Sequence, residues 1–144
     1  TRFGRAKEWV DTFESLMGNK AISNLVQAEP IGPQKLLDLV LIAPCTGNTL
    51  AKLTYGITDT SVTMSAKSHL RNGGPVLLAV STNDALGGSA KNIGALLNYR
   101  NFYFVPLRQD APDAKPRSVV SDFSLIPKAA AAALEGKQLQ PIFP

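Results

Sequence analysis

The 144-residue chain predicts a three-layer α/β fold, a doubly wound parallel sheet with helices on both faces. Three observations carry that expectation. Apolar runs alternate with amphipathic stretches along the chain. Two of these runs, Leu37-Asp38-Leu39-Val40-Leu41-Ile42 and Val76-Leu77-Leu78-Ala79-Val80, are nearly continuous, as strands covered on both faces are. Each run then ends in a small polar turn that leads into a helix. Connections of the β-α-β kind are almost always right-handed and give parallel neighbours.

The elements follow in order. Ala6, Trp9, Val10, Phe13, Leu16 and Met17 share one face of a helix, which Gly18 terminates, and that face is expected in the core. Ile22, Leu25 and Val26 continue with helical spacing. Glu29-Pro30-Ile31-Gly32-Pro33 is a connector, since two prolines and a glycine resist regular structure. Residues 37–43 are expected as a fully buried strand and residues 48–55 as a two-turn helix. Asp59-Thr60-Ser61 caps a helix carrying Val62, Ala66 and Leu70, stopped by Asn72-Gly73-Gly74-Pro75. Residues 76–80 form the second strand, and Ser81-Thr82-Asn83-Asp84 its polar turn. After Gly87 and Gly88 a helix turns Ile93, Leu96 and Leu97 inward. Phe102-Tyr103-Phe104-Val105 is the third strand. Residues 108–117, with Pro112 and Pro116, are expected as a loop. A last helix is expected from Ser118, kinked or split by Pro127 and ended by Gly136. The tail from Gln138 has no periodicity and is expected to pack on a neighbour.

Residues 1–144 thus make one domain of Rossmann- or flavodoxin-like type, without internal repeats. Sheets of this type usually carry about 4–6 strands, so the three found here predict that an amino-terminal strand is lacking.

Composition narrows the function classes. At 44% hydrophobic and 18% charged, the chain is neither disordered nor membrane-spanning, and no apolar run approaches the ~20 residues that a bilayer needs. No secretory leader is apparent. A single cysteine, Cys45, excludes an internal disulfide framework and fits a reducing cytoplasm. The net charge of +4 comes from scattered lysines and arginines, which argues against nucleic acid. One His and one Cys, far apart in sequence, do not make a closed metal site.

The candidate site lies where strands end. Pro44-Cys45-Thr46-Gly47-Asn48-Thr49 joins the first strand to a helix, and open α/β sheets bind ligands in the crevice at the carboxyl ends of their strands. The opening N–H groups of the helix favour anions there, and Thr46, Asn48 and Thr49 add small donors and acceptors. An ordinary strand-to-helix turn with Asn or Thr as N-cap has the same composition. In a parallel sheet the second turn, with Ser81, Thr82 and Asn83, lies at the same edge. Two Asn side chains meeting there suit a planar amide or a carboxylate. Pro44, Thr46, Gly47, Asn48, Thr49, Ser81, Thr82 and Asn83 are therefore the candidate binding residues. Asp84 is the one candidate base in either turn, and it also suits a helix cap. Cys45 beside the site suits either a reactive thiol at a helix start or a small buried spacer.

These turns resemble the flavoprotein family that includes the FMN-dependent cysteine decarboxylases. Its members carry a Pro-Ala-Ser-Ala-Asn-Thr turn facing flavin and substrate, of which this chain keeps Pro44, Asn48 and Thr49. Leu50-Ala51-Lys52-Leu53 and Gly56-Ile57-Thr58-Asp59 are similar to the continuation. Of the family's second motif, Pro-x-Met-Asn-x-x-Met-Trp, only Asn83 survives. The place of the decarboxylases' catalytic His is taken by Pro30, and the single His69 falls on a helix where a surface or packing role is expected. Five blocks instead resemble the family's branch of dipicolinate synthase B subunits: residues 28–33, 42–48, 81–87, 109–112 and 136–141. That resemblance implies a cytoplasmic oxidoreductase subunit of the mother cell of a spore-forming bacterium. It would act with a nicotinamide-binding A subunit that uses NADP, on the dicarboxylate dihydrodipicolinate, with FMN as a possible cofactor. It also implies trimer-based homo-oligomers with ligand sites between subunits. A non-catalytic partner subunit is the alternative, and an FMN-dependent decarboxylase a further one.

Overall fold

The computed structural model describes residues 4–144, and its elements follow from local sequence cues. Helix α1 (Ala6–Met17) ends at Gly18, whose φ of 67° is the left-handed conformation that glycine adopts without a Cβ penalty. A single turn, α2 (Leu25–Ala28), is capped by Asn24, whose side chain accepts from the Gln27 N–H at 2.9 Å. A 3₁₀ turn (Glu29–Ile31) then leads to strand β1 (Val40–Cys45). Helix α3 (Gly47–Tyr55) starts behind Thr46 and ends at Gly56. Helix α4 (Ser61–Leu70) starts behind Thr60 in a reciprocal cap with Thr63. Strand β2 (Val76–Thr82), helix α5 (Ala90–Asn98) and strand β3 (Phe102–Phe104) follow. Strands β4 (Leu107–Arg108) and β5 (Val119–Ser121) precede a 3₁₀ turn (Phe123–Leu125) and helix α6 (Ile126–Leu134).

The sheet is mixed. β2 lies between β1 and β3, parallel to both, with Val40 opposite Val76 and Val76 opposite Phe102. Past the end of β3, Ser81 and Thr82 of β2 pair antiparallel with Val120 and Val119 of β5, which pairs antiparallel with β4. The buried side chains of β1, β2 and β3 pack with Leu50, Ala66, Ile93 and Leu96 of α3, α4 and α5 on one face. Leu77, Ala79 and Val105 pack with Ala129 of α6 on the other. Val76, Leu77, Leu78, Ala79 and Val80 are fully buried, so the continuous apolar run of β2 is that of a strand covered on both sides. The three-layer α/β fold expected from the sequence is present.

Several details differ from expectation. The apolar stripe of α1 forms at helical spacing but is not core: α1 has no buried residue, and Phe13 and Leu16 are 57% and 74% exposed. Periodicity reports which residues share a face, not whether a partner covers it. Residues 37–43 are not one fully buried strand. β1 begins at Val40, and Leu37 and Leu41 are exposed, because β1 is an edge strand among the described residues with only one face packed. Its outer edge is the side on which a further strand would pair. Val62 and Leu97 are also exposed.

The largest difference lies at residues 118–121, where a strand stands in place of a helix start. Ser121 Oγ accepts from the Val80 N–H at 2.8 Å and donates to the Val105 carbonyl at 3.1 Å, which ties β5 into the buried sheet. Pro127 neither kinks nor splits the last helix. It occupies the first turn of α6, where a missing N–H costs nothing. The tail is tied to its own chain. Gln138 donates to the Phe104 carbonyl and accepts from the Phe104 N–H, both at 2.7 Å, and the Leu107 N–H donates to the Ile142 carbonyl.

Candidate functional site

At the carboxyl ends of β1 and β2 the two polar turns meet. Gly47, the first residue of α3, is the point of contact. A Cβ built on it would stand 2.8 Å from Ser89 Oγ, 2.8 Å from Thr82 Oγ1 and 2.9 Å from Asp84 Oδ1. All three distances are shorter than carbon–oxygen contact allows, so glycine lets α3 seat against the turn after β2. Three groups from the end of β2 and the loop after it thus surround the start of α3.

That cluster is internally satisfied. Asp84 Oδ1 accepts from Thr82 Oγ1 at 2.6 Å and from Ser89 Oγ at 2.9 Å. The Asp84 carbonyl accepts from the N–H groups of Gly87 and Ser89, which closes the loop. The Thr82 hydroxyl first, and the Ser89 hydroxyl second, hold the Asp84 carboxyl below the usual carboxylate range. Asp84 is therefore a charged organiser of the loop and a weak proton acceptor. Ser89, the residue before α5, is not among the residues to which the sequence points. A signal for it exists, since Gly87-Gly88-Ser89 before an amphipathic run marks a helix start, but its hydroxyl is turned to Asp84 rather than to its own helix.

Around this contact the candidate residues divide by exposure. Thr46 is both the N-cap of α3 and part of the crevice: its Oγ1 accepts from the Thr49 N–H at 3.4 Å and lies 3.2 Å from Thr49 Oγ1. The N–H groups of Gly47 and Asn48 open the helix and have no acceptor within it. Asn48 and Asn83 are exposed, while Thr49, Ser81 and Thr82 are half-buried. Ser81 and Thr82 belong to β2 rather than to a turn, because β5 extends the ladder to them. Pro44 lies within β1, exposed, at an irregularity in the β1–β2 register between Ile42 and Cys45, and the Ala43–Pro44 peptide is cis. The surface offered to a ligand is thus two amides, two helix N–H groups and the Thr46 and Thr49 hydroxyls.

Cys45 is the spacer rather than a nucleophile. It is fully buried in the main core, and burial pushes its thiol up to about 12. His69 is a packing residue far from the crevice. It is buried in the last turn of α4, its Nε2 lacks a hydrogen-bond partner, and a Cβ on Gly74 would overlap its ring. No group of three or more His, Cys, Asp or Glu is placed to hold a metal among the described residues, and no helix there is long and apolar enough to cross a membrane.

Comparison with known proteins shows the family and the fold. The family model described as Flavoprotein matches residues 4–113. The chain is 47% identical over 142 residues to the B subunit of dipicolinate synthase of Bacillus subtilis strain 168, covering 99% of this chain and 71% of the relative. The crystal structure of the dipicolinate synthase B subunit from Bacillus halodurans is 42% identical and superposes with a TM-score of 0.93, over 100% of this chain and 74% of that one. The FMN-dependent cysteine decarboxylase SpaF, 19% identical, superposes with a TM-score of 0.63 over 88% of this chain and 71% of its own, and shares the fold.

Proposed function

This chain belongs to the flavoprotein family, in its branch of dipicolinate synthase B subunits, and we propose that it acts with a nicotinamide-binding A subunit to oxidise dihydrodipicolinate to dipicolinate. The observation that supports this reading is the seating of Gly47 among Thr82, Asp84 and Ser89, which brings together the two turns that carry Asn48 and Asn83. The substrate carries two carboxylates. Its aromatisation releases a hydride equivalent, taken by NADP on the A subunit, and one proton. The N–H groups of Gly47 and Asn48, with the Asn48 and Asn83 amides, suit one of those carboxylates. They orient the ring without titrating. Asp84 keeps the loop in place, and with its carboxyl held acidic it leaves the proton to solvent or to the A subunit.

The donor set also fits the carbonyl edge of a flavin ring, and FMN is included in the proposal as a ligand of Asn48, Thr49 and Asn83. When bound, it would supply a two-electron acceptor at the crevice. A non-catalytic ordering role for this chain is favoured by one observation: Asp84 Oδ1 is taken up by the Thr82 and Ser89 hydroxyls. Decarboxylation is disfavoured, because Pro30 stands where the decarboxylases have His and His69 is buried elsewhere. The proposal extends to a trimer-based homo-oligomer in the cytoplasm of a sporulating mother cell.

The test is dipicolinate formation from fresh dihydrodipicolinate with NADP, using the A subunit with and without this chain. Product that requires both supports the two-subunit synthase. Product from the A subunit alone, unchanged by this chain, overturns the oxidative role. A yellow flavin spectrum in the purified protein tests the FMN component separately.

A further inference from the structure

A second cavity, of about 370 Å³, lies at the other edge of the sheet from the crevice. It is lined by the carboxyl ends of α3 and α4 and by Phe102, the first residue of β3. Phe102 pairs with Val76, the first residue of β2, so this is where the parallel strands begin. Helix α3 has its amino end at the crevice and its carboxyl end here, about 13 Å away at 1.5 Å per residue.

The lining combines two chemistries. Leu53, Leu70 and Phe102 form an apolar floor that is the partly exposed margin of the main core. Lys67 and Arg71 stand four residues apart, hence on one side of α4, and both are exposed. Neither has an ion-pair partner among the described residues. The third cation, Lys52, is neutralised by Asp59, whose carboxylate oxygens lie 2.8 and 2.9 Å from Nζ. The end of a helix favours positive charge by itself. It does not account for an apolar cavity beside that charge, and the volume is at the lower end of the ~300–1,000 Å³ usual for ligand sites.

We infer that this cavity binds a small aromatic dicarboxylate, its ring on Leu53, Leu70 and Phe102 and its carboxylates toward Lys67 and Arg71. The apolar floor suits the face of a ring, and two unpaired cations at i, i+4 spacing suit two carboxylates. The lining calls for an anion with an apolar body, and the choice of an aromatic dicarboxylate rests on the function proposed above.

The test is isothermal titration of the full chain with benzene-1,3-dicarboxylate, which has the ring and both charges without chelating metals. Wild type is expected to bind it. The Lys67→Gln/Arg71→Gln double variant, altered only at exposed side chains, is expected to bind at least tenfold more weakly, and Phe102→Leu to weaken binding while keeping the charges. Asn48→Ala and Asn83→Ala, in the crevice, are expected to keep the binding that Lys67 and Arg71 support and to lose only a separate equivalent bound at the crevice. Absence of binding, or equal binding by the double variant, overturns the inference. Binding lost in the crevice variants but kept in the double variant also overturns it, and leaves the crevice proposal standing. Inorganic phosphate competing as well as the dicarboxylate would show a simple anion patch and refute the role of the ring.

Discussion

Replacing Gly47 by alanine separates two opposing effects of one methyl group. Gly47 opens α3 with an ordinary backbone, so Gly47→Ala incurs no left-handed strain, and alanine is the better helix former by up to about 1 kcal/mol. Against that, the new Cβ meets three oxygens at 2.8–2.9 Å. They cannot all withdraw freely, since Thr82 and Ser89 both donate to Asp84. Overpacking of this kind costs about 1–3 kcal/mol, so the expected net loss is about 1–2 kcal/mol. For a domain of this size that is a fall in Tm of roughly 2–8 °C. Gly94 is the control. It lies within α5, with an ordinary backbone and nothing within 4 Å of a built Cβ, so Gly94→Ala should raise stability by up to about 1 kcal/mol. Thermal unfolding by circular dichroism reads both. The cost of Gly47→Ala should drop by more than half in a Thr82→Ala/Ser89→Ala background. A Gly47→Ala protein as stable as wild type would refute the seating of α3 on the second turn, and with it the convergence of the two turns.

Ser121→Ala should cost about 2–4 kcal/mol by urea unfolding, because it strands the buried Val80 N–H and the Val105 carbonyl together; a midpoint close to wild type would count against the bridge. Cys45 should react with a disulfide reagent at pH 8 at least a hundredfold more slowly in the native protein than in denaturant, since a thiol pushed up to about 12 is ionised to only about one part in ten thousand at that pH. Comparable rates would contradict its burial. Asp84, whose carboxyl is depressed by the Thr82 and Ser89 hydroxyls, lends stability that is complete above the ordinary carboxylate pKa and disappears as the pH falls through the depressed one. The stability difference between wild type and Asp84→Asn should therefore shrink on acidification below the ordinary carboxylate range, and a difference that grows instead would place the proton elsewhere.

Sequence and structure agree most closely where a residue's local chemistry decides its state. Gly18 and Gly56 end helices, Thr46 and Thr60 start them, and the uninterrupted run of Val76 to Val80 is the strand with both faces covered. Disagreement arises where a non-local partner decides. Phe13 and Leu16 share a helical face that stays largely exposed. Val119, Val120 and Ser121 form a strand because Ser81 and Thr82 offer an edge to pair with, and three residues carry too little pattern to announce it. At the candidate site, the meeting of the two turns was legible from strand order. The roles of Ser89 as Asp84's partner and of Gly47 as the point of contact depend on distances across the crevice that no spacing in the chain encodes.

The central claim is that the crevice holding Asn48 and Asn83 serves dipicolinate synthesis. Its most direct test is the rate of dipicolinate formation by the A subunit together with the Asn48→Ala/Asn83→Ala chain. The account predicts a loss of at least tenfold with Tm unchanged, since both side chains are exposed and support no part of the core. A double variant that keeps the wild-type rate would contradict it.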